Sequence, residues 1–322
     1  MKTIFVTGGL GFIGSNFIKK NTSKYKIINI DKVTYASNKK YLKDISTLEN
    51  YKFYKLDINQ TNKISKLIKI YNPTYIFNFA AESHVDNSIT NSNAFMRTNI
   101  LGTHSLLKAV LANKKKLKNN FKFIHISTDE VFGDVKNNKF TKEIDKYNPS
   151  SPYSSSKASA DHLVTAWGRT YGINYNITYS SNNFGPNQHK EKFIPVVINS
   201  IMQNKIIPIY GDGQQKREWI YVEDNNNGIL SVAEKGKKNE TYNIGSNNSL
   251  TNIKLAKKIC ELMVKNYNFD NKINKLIKHV KDRLGHDRNY SLDTSKIKKL
   301  KWKCKFNFDE SLLNTIKWYI NE

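Results

Sequence analysis

The sequence predicts an α/β protein with a doubly wound parallel sheet and a smaller α/β part for a substrate. Three observations lead there. Short β-prone runs alternate with helical ones, a glycine-rich turn follows the first run, and an acid closes the second. Alternation of this kind needs crossover helices and therefore parallel strands, with ligands at their carboxyl ends.

Lys2 to Thr7 is the first strand, and Gly8-Gly9-Leu10-Gly11-Phe12-Ile13-Gly14 follows it directly. A helical pattern through Ile13, Phe17 and Ile18 comes next. Glycines at 8, 11 and 14 allow a tight turn, close backbone approach to a pyrophosphate, and close helix–strand packing. The run Ile27 to Ile30 ends in Asp31, twenty positions after Gly11. An acid there can accept bonds from an adenosine ribose and disfavours a 2′-phosphate, so the expected cofactor is NAD rather than NADP.

Further strands are expected over Tyr51 to Lys55, leading to Asp57-Ile58, and over Tyr75 to Phe79, leading to Ala80-Ala81-Glu82-Ser83-His84. Asn99 to Val110 reads as a helix, and Phe121 to Ser127 and Asn174 to Ser180 as strands. From about Phe184 the pattern breaks into Pro- and Gly-punctuated pieces, including Ile206 to Gly213. Helical stretches near Ile253 to Lys265 and Glu310 to Trp318 follow. The expected division is a dinucleotide-binding domain over 1–183 with 215–243 interleaved, and a second domain over 184–214 and 244–322. Glu218 to Asp224 is expected to return to the main sheet.

The chemistry concentrates in two segments. Ser127-Thr128-Asp129-Glu130 puts adjacent carboxyl groups at a strand end, and Tyr153-Ser154-Ser155-Ser156-Lys157 puts a phenol and an amine on one helix face. A nearby ammonium favours phenolate and is expected to lower a tyrosine pKa that starts near ~10. The two segments supply a base for alcohol oxidation and a separate acid/base pair. That set suits a reaction with both a redox and an elimination step.

Composition narrows the field. The net charge is +25, yet of 52 basic residues only five are arginine, at 97, 169, 217, 283 and 288. Lysines are scattered, and the one dense run, Lys114 to Lys116 with Lys118, reads as a solvated loop. No nucleic-acid role is expected, although a basic surface helps attract an anionic substrate. No apolar window suggests a membrane span, the first strand leaves no room for a signal peptide, and Cys260 and Cys304 are too far apart in sequence for a metal motif. A cytoplasmic protein with no metal is expected.

Taken together, TGGLGFIGSNF, DKVTYAS, FNFAAESHVDNSI, HISTDEVFGD, SPYSSSKASADHLV, SNNFGPNQHKEKFIP, PIYGDGQQKREWIYVED, ETYNIGSNN and RLGHDRNY carry a resemblance along nearly the whole chain. The chain resembles the dTDP-glucose 4,6-dehydratases of the extended short-chain dehydrogenase/reductase family. STDE, AESHVD and GHDR are the discriminating segments, because related epimerases lack the Asp-Glu pair.

The resemblance implies a Rossmann-like fold, NAD, a nucleotide-sugar substrate and a homodimer formed through the helices near Asn99 to Val110 and Tyr153 to Tyr171. It implies Tyr153 with Lys157 as the base system at carbon 4, assisted by Thr128. Glu130 becomes the carbon 5 base and Asp129 the acid at carbon 6. Gly8, Gly11, Phe12, Ile13, Gly14, Asp31, Lys32, Thr34, Asp57, Ile58, Ala80, Ala81, Glu82, Ser83, Asn99 and Asn183 would contact the cofactor, with Tyr153 and Lys157. Ser83, His84, Thr128, Asn182, Lys192, Phe193, Pro208, Tyr210, Arg217, Asn252, Arg283 and His286 would line the substrate site. Arg217 and Arg283 also suit a diphosphate on physical grounds. Leu284 replaces a usual proline, which is expected to loosen the loop carrying Arg283, and Ser246 to Asn252 matches only loosely. A 4,6-dehydratase or 4-epimerase acting on another nucleotide-sugar stays open, as does a non-catalytic NAD-binding protein.

Overall fold

The computed structural model describes residues 1–135 and 139–322. In chain order its strands are β1 (Lys2–Thr7), β2 (Tyr25–Asp31), β3 (Tyr51–Lys55), β4 (Tyr75–Asn78), β5 (Lys122–Thr128), β6 (Tyr175–Ser180), β7 (Asn182–Phe184), β8 (Ile207–Tyr210), β9 (Lys216–Tyr221), β10 (Glu240–Ile244), β11 (Ser249–Thr251) and β12 (Ile277–Val280). Seven of them form one sheet in the order β10-β6-β5-β4-β1-β2-β3, and every pairing in it is parallel. The chain winds outward from β1 in both directions. The switch point therefore falls between β1 and β4, whose carboxyl ends open into a crevice.

Alternation along the strands explains why both faces are covered. Phe5, Ile28, Ile76, Phe123 and Ile177 point into one apolar layer. Ile4, Val6, Ile27, Phe77, Ile124 and Ile126 point into the other. Strands buried on both faces read as nearly continuous apolar runs, as these do. A third apolar cluster lies around Phe184, Ile198, Ile209, Trp219, Ile259 and Ile316, in the region after β6.

The main expectations about elements hold, with two corrections. β9 does not return to the large sheet: it pairs with β7 in parallel and β11 antiparallel in a separate three-stranded sheet. The chain re-enters the large sheet one step later, through the helix Val222–Lys235 and β10 beside β6. The Asn99–Val110 stretch is also not one regular helix. It begins as a π-helix over Met96–Gly102 and becomes α-helical over Thr103–Asn113. The wide turn buries the Asn99 side chain at the crevice, a common place for such irregularity.

The lysine run 114–116 is exposed at the end of that helix. No helix among the described residues is long and apolar enough to cross a membrane. No cluster of three or more His, Cys, Asp or Glu among them could hold a metal ion.

Candidate active site

Two cavities adjoin at the carboxyl ends of the strands and share Ser83, Gln188, Glu191 and Lys192. The first runs over β1, β2 and β4. Its wall contains Gly8, Gly11, Phe12, Ile13, Gly14, Asp31, Lys32, Thr34, Ile58, Ala80, Ala81, Glu82, Tyr153 and Lys157. Gly8 sits at φ +69, a region only glycine enters freely, and a Cβ there would lie 2.6 Å from the Ala80 nitrogen. A Cβ on Gly14 would lie 2.5 Å from the Gly8 oxygen. The helix Phe12–Asn21 begins here with no capping side chain and no acid in its first turn. Its free N–H groups leave a cradle suited to a pyrophosphate.

At the far end of this cavity Asp31 is 4% exposed and accepts from the Leu10 and Val33 amides and the Ser37 hydroxyl, at 3.0, 2.7 and 3.0 Å. A carboxylate has about four acceptor sites, so capacity for a ribose hydroxyl remains. Lys32 is paired with Glu82 at 3.3 Å and donates to Thr98.

Three residues expected at the cofactor do not line this first cavity. Asp57 is turned onto the Asn59 backbone and amide, while its neighbours Leu56 and Ile58 reach the cavity wall. Asn99 accepts from the Glu82 amide and donates to the Glu82 carbonyl and Ser156 hydroxyl, so it shapes the wall from behind. Asn183 lines the second cavity instead.

That second cavity contains His84, Asn182, Phe193, Pro208, Tyr210, Arg217, Asn252, Arg283 and His286 in addition to the shared residues. Arg217 is buried above the Tyr290 ring, 4.4 Å from its centroid, and donates to backbone carbonyls of Lys216, Asp287 and Arg288. Arg283 pairs with Asp86 at 2.8 Å and lies over Tyr210. His84 caps the helix Val85–Thr90 through its ring nitrogen, and burial followed by Lys192 keeps its pKa below the usual value.

The Leu284 side chain is 75% exposed and lines neither cavity. The Asp86 pair and a 2.7 Å contact between His286 and Asp282 tie the loop on both sides of it. Asn252, from the loosely matching stretch, opens the helix Asn252–Tyr267 and still reaches the cavity.

The two chemical segments meet where the cavities join. β5 ends in a short 3-10 turn, Asp129–Phe132, capped by Thr128. The helix Pro152–Tyr171 begins opposite it, with Ser151 and Ser154 forming a capping box and proline at its first position. Glu130 lines the second cavity, and Tyr153 and Lys157 line the first. Thr128 and Asp129 are buried just behind this wall, with the Thr128 hydroxyl 3.1 Å from Asp129 Oδ1. The other Asp129 oxygen, Oδ2, has no hydrogen-bond partner among the described residues.

Burial, with the charges of Glu130 and Glu218 adding to it, holds the Asp129 carboxyl well above the usual carboxylate range. Glu130 is also raised by burial, but Arg217, Lys192 and Arg283 pull it back. Neighbouring carboxyls are thus placed in different electrostatic surroundings, as a donor–acceptor pair requires.

The expected lowering of Tyr153 does not occur in this structure. Burial and the Glu130 charge raise it above the usual phenol value, against the pull of the Thr128 hydroxyl. Lys157, 3% exposed, donates to the Ile126 carbonyl at 2.7 Å, and burial lowers it to about 8. Desolvation outweighs the attraction that spacing alone suggested.

Sequence reasoning passed over Asp86, Gln188, Glu191, Trp219 and Tyr290, all of which line this site. Asp86 and Tyr290 stand inside AESHVD and RLGHDRNY, so the segments pointed to the place but not to these side chains.

The family model described as GDP-mannose 4,6 dehydratase matches residues 5–315. The dTDP-glucose 4,6-dehydratase of Haemophilus influenzae is 45% identical, covering 99% of this chain and 98% of its own. Among solved structures, a dTDP-glucose 4,6-dehydratase from Streptomyces venezuelae with NAD bound has TM-score 0.91 and 34% identity, covering 99% and 97% of the two chains. One from Bacillus anthracis in complex with NAD has TM-score 0.88 and 38% identity, covering 100% and 97%. The glycine cradle, the Tyr–Lys helix and the buried acid pair accord with these matches, and the chain belongs to the dTDP-glucose 4,6-dehydratase family.

Proposed function

We propose that this chain dehydrates dTDP-glucose to dTDP-4-keto-6-deoxyglucose with tightly held NAD. The observation that carries the reading is the buried Asp129–Glu130 pair, its two carboxyls in unlike environments, beside Tyr153 and Lys157. Simple oxidation or epimerisation at carbon 4 has no need of a protonated acid next to a second carboxylate.

The fit of the cofactor rests on the glycine cradle and on Asp31 at its far end. NAD supplies a hydride acceptor for carbon 4, a hydride donor for carbon 6, and a positive charge when oxidised. Tyr153, as the phenolate that the Lys157 ammonium and the positive charge of the oxidised nicotinamide would favour against burial, takes the proton of the 4-hydroxyl, with Thr128 bonding the same oxygen. The resulting ketone acidifies carbon 5, and Glu130 removes that proton. Asp129, kept protonated by burial, gives its proton to the hydroxyl leaving carbon 6, so water departs, and as carbon 6 is reduced carbon 5 takes back the proton held on Glu130. Arg217, Arg283 and Lys192 provide positive charge for the diphosphate, with Tyr210, Pro208 and Asn252 toward the nucleoside. Asn99 and Asp57 support the cofactor site indirectly, by fixing its walls.

Incubation with dTDP-, UDP-, CDP- and GDP-glucose tests the reading. The expected result is a product lighter by one water from dTDP-glucose, with the alkaline absorbance of a 4-ketosugar and slower or no reaction with the others. A product of unchanged mass would indicate epimerisation and overturn the dehydratase reading.

We also propose a cytoplasmic homodimer. The helices Thr103–Asn113 and Pro152–Tyr171 lie side by side, with Leu101 in the π-helix ahead of the first 56% exposed, Tyr171 at the end of the second 40% exposed, and Leu163 and Trp167 half-buried. An apolar face of this kind suits self-complementary pairing. Light scattering at micromolar concentration should give twice the chain mass, and a monomer mass would count against this interface. Two parts remain our reading, but the interleaved piece of the first is the helix Val222–Lys235 with β10, to Ile244, because β9 pairs with β7 and β11 rather than with the large sheet.

A further inference from the structure

We propose that Asp161 is a positioning residue for this reaction: it ties the catalytic helix to the end of β5 and supplies the negative charge opposite the Lys157 ammonium. The proposal rests on the dehydratase reading for its kinetic effect, though not for its structural basis. Asp161 follows Lys157 by four residues and Tyr153 by eight, so all three share one helix face. It is 1% exposed and lines neither cavity.

Its partners come from several elements. The Ser127 hydroxyl donates to Asp161 Oδ2 at 2.7 Å, and the Tyr147 hydroxyl donates to the same oxygen at 3.3 Å. His125 Nε2 lies 3.4 Å from Oδ1. One turn earlier on the helix, Lys157 donates to the Ile126 carbonyl. Lys157 and Asp161 therefore grip consecutive residues of β5, immediately ahead of Thr128, Asp129 and Glu130. The grip joins the element that carries the redox groups to the one that carries the elimination groups.

A neutral side chain could serve as the tie alone, so the buried charge needs a separate reason. Burying a carboxylate is costly unless a cation compensates it. The groups facing it are Lys157 and Tyr153 on its own helix, His125 and Ser127 on β5, Tyr179 on β6, and Tyr147 from the preceding segment. His125 does not compensate it, because burial and Lys157 keep that imidazole neutral. Asn78 accepts from Thr7 through its oxygen and so presents its amide to His125 Nδ1. That arrangement leaves the His125 N–H on Nε2, toward Asp161. Lys157, four residues earlier on the same helix face, is the cation that remains; the attraction between the two works against the burial that lowers Lys157 to about 8 and raises Asp161 to about 7.

The test compares Asp161→Asn, Asp161→Glu and Tyr147→Phe in the full chain. Competitive acetylation of Lys157, read by mass spectrometry across pH, gives its titration without turnover. In Asp161→Asn the labelling midpoint and the alkaline limb of kcat/KM for dTDP-glucose should move to lower pH by about one unit or more. Asp161→Glu should restore both. Tyr147→Phe removes a bond to the ionised carboxylate, so the acid limb should move to higher pH. A merely structural Asp161 predicts lost stability with midpoint and limbs unmoved, and that result would overturn the proposal. If Asp161→Asn does not fold, an unmoved acid limb in Tyr147→Phe overturns it instead. A wild-type chain inactive on dTDP-glucose would count against the functional reading, while the Lys157 labelling would still decide this one.

Discussion

Asp129→Asn combined with Glu130→Gln is expected to lower turnover by ~10⁴-fold or more, because general acid and base groups contribute ~10²–10⁴ each. Reduced nicotinamide should nevertheless build up after dTDP-glucose is added. Tyr153 and Lys157 lie on a different element from the acid pair and line the cofactor side, so oxidation at carbon 4 keeps its groups. The ketone would form and then wait for an elimination that has lost both its base and its acid. Tyr153→Phe should show the reverse, with little reduced cofactor at any time. Wild-type turnover by the double variant, or normal reduction by Tyr153→Phe, would contradict the assigned roles.

The same double variant carries a stability signature. Asp129 has a folded-state pKa raised above its unfolded value, so the native state holds the extra proton. Its contribution is fully favourable below the unfolded value and is lost as pH rises through the folded one. The carboxamide does not ionise and escapes that loss. The variant should therefore gain on the wild type in urea unfolding at pH 8 relative to pH 5, although it is nearly inactive. A constant difference across that range would show that Asp129 is not held protonated. An active site that is stabilised by removing its catalytic acid is a site where function works against stability.

How much could be read from residues alone depended on the range of the interaction. The glycine turn after β1, the acid ending β2, and the strand end carrying Thr128 to Glu130 are local patterns, and the large sheet follows from alternation. Asp86 meets Arg283 across 197 positions of sequence, and no periodicity joins them. β9 joins a different sheet from the expected one for a related reason. Its run Glu218 to Tyr221 is buried and β-prone, and only pairing with β7 and β11 decides which sheet receives it. Asp57, Asn99 and Asn183 lie in the expected segments, yet their side chains turn to backbone or to the neighbouring cavity. The Tyr153 shift has the opposite sign to the expected one because spacing reports the lysine and not the burial. Sequence shows which charges are near one another along a helix, and the fold decides how much water they keep.

Gly8→Ala is expected to destabilise the protein by roughly 2–4 kcal/mol, combining positive-φ strain with overpacking, and to abolish retention of NAD. The new Cβ would stand 2.6 and 2.7 Å from the nitrogen and Cα of Ala80 and 2.9 Å from the Phe79 carbonyl carbon. All three are backbone atoms of the turn after β4, so no flexible side chain can give way. The loop after β1 and the turn after β4 face each other across the switch point, and separating them widens the crevice that holds the dinucleotide. Gly11→Ala is the control. Gly11 has φ −79, and its added Cβ would meet only the Gly8 oxygen, at 3.3 Å. It should melt close to the wild type, by well under the Gly8 effect, whatever it does to the pyrophosphate. Thermal melts and the nicotinamide released on denaturing the purified protein measure both quantities. A Gly8→Ala protein that keeps its NAD and melts with the wild type would mean that the close approach of these two turns is not what shapes the cradle. If it loses NAD while Gly11→Ala melts normally, the cofactor site depends on a position where the chain passes through a conformation that other residues avoid.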